Sequence, residues 1–143
     1  MPQIVMQQQF NAPVSKVFGL LSKHATFDAL FWPIKSVRIQ DSEDPSNADG
    51  LGSIREMGVG PLKLIREQIT LVEPNQTIEY AMLKNPLVRH HLGRLEFAEQ
   101  GGKTHVKYTI ELESKPPLVD RLVLAQLKLT ASAGLRKIAK NLR

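Results

Sequence analysis

At 143 residues the chain has room for one hydrophobic core rather than two, and 42% hydrophobic with 23% charged residues is near the globular average, which excludes a disordered or fibrous polymer. The absence of cysteine excludes disulfide frameworks, thiolate nucleophiles and sulfur-ligated metals. The net charge of +5 gathers late in the chain, where Arg121, Lys128, Arg136, Lys137, Lys140 and Arg143 occur without an acid among them. With no aromatic stacking platform beside them, these cations read as complements to a terminal helix dipole and as its solvated face, and no nucleic acid is expected.

The N-terminus lacks a basic start followed by an apolar run, and no stretch approaches the ~18 apolar residues of a membrane span. A soluble, cytoplasmic, single domain over residues 1–143 is expected. Residues 3–10 alternate, with Ile4, Met6 and Phe10 on one side and mostly Gln on the other, as in a half-buried strand. Pro13 suits the first turn of a helix that carries Val14, Val17, Phe18 and Leu21 at helical spacing. A second short helix is predicted over Ala25 to Leu30, ending before Trp32-Pro33 because the residue ahead of proline disfavours the helical region.

Strands follow at Ile34 to Asp41, Gly52 to Met57, Leu62 to Glu73, Thr77 to Leu83, His90 to Glu99 and Thr104 to Glu113, separated by segments rich in Gly, Pro, Asn, Asp and Ser. Gly101-Gly102 marks a tight hairpin between the last two. Side-chain parity turns Ile78, Tyr80, Met82, Leu95, Phe97, Val106, Tyr108, Ile110 and Leu112 inward, and Glu79, Arg94, Glu96, His105, Lys107, Thr109, Glu111 and Glu113 outward.

A one-sided sheet needs a cover. Pro116-Pro117 stops the last strand, and Leu118 to Leu142 contains no further proline. Leu124, Leu127, Ala131, Leu135, Ile138 and Leu142 form one apolar stripe; Leu118, Leu122, Ala125 and Leu129 form a second arc, expected to touch the short helices or line a pocket. Gly134 inside this helix weakens it by about 1 kcal/mol relative to Ala, which points to a close backbone approach or a bend.

This order of elements resembles the helix-grip fold of the START/SRPBCC superfamily, in its polyketide cyclase/dehydrase and lipid-transport branch. Phe10-Asn11-Ala12-Pro13-Val14 with Val17-Phe18 is similar to that family's first strand and helix, and Trp32-Pro33 with Val37 to the beginning of its second strand. Gly50-Leu51-Gly52-Ser53-Ile54-Arg55, Glu67-Gln68-Ile69-Thr70 with Glu73-Pro74-Asn75, and Gly101-Gly102-Lys103-Thr104-His105-Val106 resemble further segments. The resemblance implies an α+β fold in which a curved antiparallel sheet of about seven strands wraps a long C-terminal helix, with two short helices after the first strand. It also implies a pocket between sheet and helix for a small hydrophobic ligand, whether lipid, polyketide-like or aromatic, and it implies no cofactor. Fold alone does not assign a reaction.

The histidines His24, His90, His91 and His105 lack metal-ligand spacing, so no metal is expected. His91 shares the parity of Leu95 and Phe97, which would point it inward as a base or hydrogen-bond partner; the simpler reading is a strand-end histidine exposed near Pro86. Arg55 and Glu67 are the best polar lining candidates, although exposed cross-sheet charge pairs would explain them too. Phe27, Phe31, Trp32 and Met57 suit an aromatic lid or ordinary core. Tyr80, Met82, Leu95, Phe97, Tyr108, Leu122 and Leu129 complete the candidate lining. Three functions compete: a non-catalytic binder, a cyclase or dehydratase using His91, Tyr80 or Glu67 as acid or base, and a module whose basic C-terminal helix docks on an acidic protein or the membrane periphery.

Overall fold

The computed structural model describes residues 2–31 and 33–142, with no side-chain description for residues 63 and 64. After β1 (Gln3–Phe10) come α1 (Val14–Leu21) and α2 (Thr26–Leu30), then β2 (Lys35–Gln40), β3 (Ile54–Val59), β4 (Leu62–Glu73), β5 (Thr77–Met82), β6 (Val88–Gln100), β7 (Lys103–Ser114) and α3 (Val119–Asn141). The strands form one antiparallel seven-stranded sheet in the order β1-β7-β6-β5-β4-β3-β2, so β2 to β7 is a meander and β1 returns to pair with β7. This is the helix-grip arrangement that the element order implied.

The alternating segments become strands because each has one apolar face to bury. Met6, Phe10, Ile78, Tyr80, Leu95, Phe97, Val106, Tyr108, Ile110 and Leu112 are all buried. Gly101 and Gly102 both take positive φ, at 60° and 76°, which closes the β6–β7 hairpin in a twist that side-chain-bearing residues resist. Register shifts interrupt the β2–β3, β3–β4, β4–β5 and β6–β7 ladders, and such irregularities bend strands and curve a sheet.

One outward assignment differs from expectation, and the edge strand adds an inversion of polarity. Thr109 is buried on the outer face, where it pairs with Val5 on one side and Arg94 on the other and is small enough for longer neighbours to cover. In the edge strand β2, Val37 and Ile39 face water while Ser36 is buried, its backbone N–H donating to Asp28 Oδ1 at 2.5 Å.

The Leu124, Ala131, Leu135 and Ile138 stripe of α3 is buried against the core, with Leu127 and Leu142 packed at its margin. The second arc does not become a contact: Leu118, Leu122 and Leu129 are 64%, 73% and 71% exposed, because one side of α3 is enough to cover the sheet and the short helices sit beneath that same side. At its start, Ser114 and Asp120 cap each other reciprocally, Ser114 N–H to Asp120 Oδ2 and Asp120 N–H to Ser114 Oγ, both at 3.1 Å. Glu99 of β6 does the same service for α1, accepting from Val14 N–H at 2.6 Å.

Gly134 is the point of close approach. A Cβ there would lie 2.8 Å from Leu30 Cα and 2.9 Å from Ala29 O, backbone atoms of α2 that have no rotamer to yield with. Gly134→Ala should therefore lower the urea midpoint at unchanged slope, despite a helix-propensity gain of about 1 kcal/mol. A raised midpoint would show that α2 is not pressed against α3.

Candidate functional site

The inner face of the sheet is mostly apolar, and its buried acid and base pair lies where β3 and β4 run side by side. Arg55 pairs with Glu67 in the register of these strands, and inward parity places both beneath the helices together with Ser53 and Met57. Arg55 is 1% exposed and Glu67 4%. Two charges at such depth are tolerable only if every face of them is occupied.

The structure meets most of that demand with a continuous set of partners, Arg55 Nη2 being the exception, since its approach to Glu67 is an ion-pair contact without hydrogen-bond geometry. Arg55 Nε and Nη2 lie 2.9 Å and 2.8 Å from Glu67 Oε1. Its guanidinium carbon sits 3.7 Å from the Phe27 ring centroid and 4.3 Å from that of Tyr80, so aromatic faces cover the cation. Arg55 Nη1 donates to His24 Nδ1 at 3.2 Å. An arginine cannot accept, so the His24 proton is on Nε2, which donates to Ser53 Oγ at 2.8 Å; Ser53 in turn donates to the Gly50 carbonyl at 2.6 Å. At the other end His91 Nδ1 accepts from the Met82 N–H at 2.9 Å, which puts its proton on Nε2, 3.4 Å from Glu67 Oε2.

Both imidazoles are therefore neutral. Burial, with the Arg55 guanidinium adding to it, pulls His24 down to about 4. Burial also lowers His91, against an opposing pull from Glu67. Tyr80 and Tyr108 hydrogen-bond to each other through their hydroxyls, and burial raises both, so both remain phenols. One of the two hydroxyl protons joins the pair and the other is left for a further acceptor. The Tyr80 ring reaches this position because it lies across Gly93 of β6, where any side chain would overlap it.

Beside this network is a cavity of about 290 Å³. Met57, Ile65, Tyr80, Met82, Ile110 and Leu112 form its sheet side, Val119, Val123 and Leu127 its helix side, and Phe31, Ile34, Leu87 and Val88 its ends. Glu67, His91 and Tyr80 are the ionisable side chains in the lining, with Ser114 a further hydroxyl, and Glu67 with His91 gives a mostly apolar chamber one polar corner. The volume lies near the lower end of small-ligand sites.

Of the residues singled out from sequence, Phe31, Met57, Glu67, Tyr80, Met82 and His91 line the cavity. Phe27, Arg55 and Tyr108 stand just behind it as packing and hydrogen-bond partners. Leu95 and Phe97 are elsewhere: α1 covers that end of β6, and Phe18 packs on Phe97 with ring centroids 5.1 Å apart. Leu122 and Leu129 face water. Trp32 lies outside the described residues. His91 is inward, not an exposed strand end, and the Arg55–Glu67 pair is buried, whereas the neighbouring Glu56–Arg66 pair is the outward one at 3.0 Å.

The sequence matches the polyketide cyclase / dehydrase and lipid transport family over residues 1–143. The chain belongs to that family. Among solved structures, a START superfamily protein from Mycobacterium smegmatis is 13% identical over 99% of both chains, with a TM-score of 0.75. The Zhui aromatase/cyclase from a Streptomyces species is 14% identical over 97% of this chain and 93% of its own, with a TM-score of 0.70. At these identities the likeness shows the fold alone. No curated protein matches the sequence.

His24 and Ser53 are the members of the network that sequence reasoning did not select. His24 follows α1 without periodicity and reaches Ser53 and Arg55 across 29 and 31 residues, a separation no local pattern reveals. The one usable signal was Ser53, which shares the inward parity of Arg55.

Two outcomes follow from the burial. Glu67→Ala strands the Arg55 cation and should lower unfolding stability by about 3–5 kcal/mol, whereas the double change Arg55→Met with Glu67→Leu should recover most of it; equal losses in the single and double variants would contradict the pairing. His24 binds a proton more weakly folded than unfolded, so its contribution is present above pH ~6.5 and lost as pH falls toward about 4, on the order of 3 kcal/mol in all. Urea titrations across that window should show a shallower pH slope for His24→Asn than for wild type.

Proposed function

We propose that this protein binds a small hydrophobic molecule, aromatic or acyl, in the chamber between the sheet and α3, and holds it without chemical change. The observation that carries this reading is the cavity itself: an apolar space of about 290 Å³ beneath the helix, with a single polar corner to orient a guest. The family match and the fold likeness support a ligand-binding domain.

The polar corner bears on the rival reading, a cyclase or dehydratase working through Glu67, His91 or Tyr80. Those side chains do converge on the cavity. Only the basic nitrogen of His91 is fully committed, to the Met82 N–H, while Arg55 holds one oxygen of Glu67 and His91 faces the other, so Glu67 keeps spare lone pairs and the tyrosine pair one spare hydroxyl proton. A general base needs a free lone pair near the proton it removes, which His91 lacks. The spare lone pairs and proton suit a fixture that donates or accepts one hydrogen bond to a ligand.

Gently purified protein examined by native mass spectrometry should retain a small molecule, and saturating aromatic or acyl ligands should raise Tm by several degrees. Val123→Trp, a change at a half-open helix position on the lining, should abolish that shift while leaving the unliganded Tm nearly unchanged. No retained molecule and no shift with any of the panel would defeat the binding reading. Catalytic turnover that disappears on replacing Glu67, His91 and Tyr80 together would favour the enzyme.

A further inference from the structure

Next to the apolar chamber is a second concavity of about 320 Å³, formed where the β5–β6 connection crosses the end of β7. Met82, Val88 and His91 belong to the lining of both, so the two spaces share a wall. Their chemistry is opposite. The second is lined by Lys84, Arg89 and Lys115 together with Asn85 and His90, and by no acid. Lys84, Arg89 and Lys115 are exposed and none of the three has an ion pair among the described residues. Glu111 and Glu113 on the adjoining strand are not in its lining; Glu111 accepts from His90 at 2.9 Å, and Glu113 lies opposite His90 in the β6–β7 register.

The backbone holds these cations in place. Asn85 Oδ1 accepts from the Leu87 N–H at 2.9 Å, the Leu87 carbonyl accepts from the Lys115 N–H at 2.9 Å, and the register of β6 against β7 shifts between Val88 and His90, at Arg89. A bulge at this place leaves Arg89 outside the regular alternation while His91 keeps its inward parity. Lys84 from the β5–β6 connection, Arg89 from the start of β6 and Lys115 from just beyond β7 thus meet on one side, while Leu87 and Val88 close the apolar chamber on the other.

We propose that the ligand is an amphiphile with an apolar body and a single acidic head, a carboxylate or a phosphate monoester, whose body fills the chamber under α3 and whose head rests among Lys84, Arg89 and Lys115. This deepens the binding reading and rests on it. Unpaired cations beside an apolar opening attract such a head, and arginine in particular meets a planar or tetrahedral oxyanion with paired donors. Met82, Val88 and His91 line both spaces, so the two lie about one side chain apart, a separation within the reach of one molecule of modest length.

Decanol, decanoate, decyl phosphate and inorganic phosphate, titrated by calorimetry at low ionic strength into wild type and a Lys84→Gln, Arg89→Gln, Lys115→Gln variant, separate the parts. Decanoate or decyl phosphate should bind about ten-fold tighter than decanol, with the preference shrinking as salt is added. The triple variant should lose the preference and keep its affinity for decanol, which also shows that it is folded. Whichever acid binds more tightly identifies the head, and inorganic phosphate, lacking the body, should bind far more weakly than decyl phosphate. If decanol and both acids bind wild type equally, or the variant keeps the preference, the head site is wrong and the chamber stands. If inorganic phosphate binds as tightly as decyl phosphate, the cations form a separate anion site and the amphiphile is wrong. If none of the chain-bearing compounds binds, the chamber reading fails and this inference falls with it.

Discussion

The buried ion pair between Arg55 and Glu67 is the constraint around which the inner face is arranged. Taking two charges from water is expensive, and their attraction repays it only when the remaining donors and acceptors are met. That requirement explains why His24, Ser53 and His91 occupy an otherwise apolar interior, and why Phe27 and Tyr80 close on the guanidinium. It also disciplines register. A one-residue slip of β3 and β4 would expose Arg55 and Glu67 and turn Glu56 and Arg66 inward, where the His24 and His91 partners are not positioned to receive them.

The chamber under α3 follows from the same arrangement. Tyr80 is drawn across the bare backbone of Gly93 to cover Arg55, and α3 is drawn onto α2 at Gly134. Nearer its N-terminus, α3 presents Val119, Val123 and Leu127 over the polar corner, and the side chains there leave space unfilled. Rigidity on one side and vacancy on the other arise from the same few contacts. The proposed guest would therefore meet a preformed wall, with little ordering left to be done at binding.

Much of the fold was legible because it rests on period and punctuation. Alternation marked the strands, proline and glycine their ends, and parity the inward set from Ile78 to Leu112, all of which depend only on near neighbours in the chain. Parity turned Tyr80, Met82 and His91 inward, and the family resemblance singled out Glu67. Helical spacing misjudged Leu122 and Leu129, since an apolar residue on a helix is compatible with either face until a partner is known. Parity placed Leu95 and Phe97 on the correct face without indicating that α1 fills the space above them.

By itself the sequence determined an α+β chain with a one-sided sheet, a covering helix and a few polar residues at inward positions, because each of those properties is local or periodic. Only the tertiary structure decided which of these residues meet. His24 joins Arg55 across 31 residues, Lys84, Arg89 and Lys115 meet from three separate segments beside an apolar space, and the chamber is a gap left after packing. Contacts of that kind depend on the relative placement of distant elements, and a gap is a property of all its walls at once, so no segment of the chain encodes it alone.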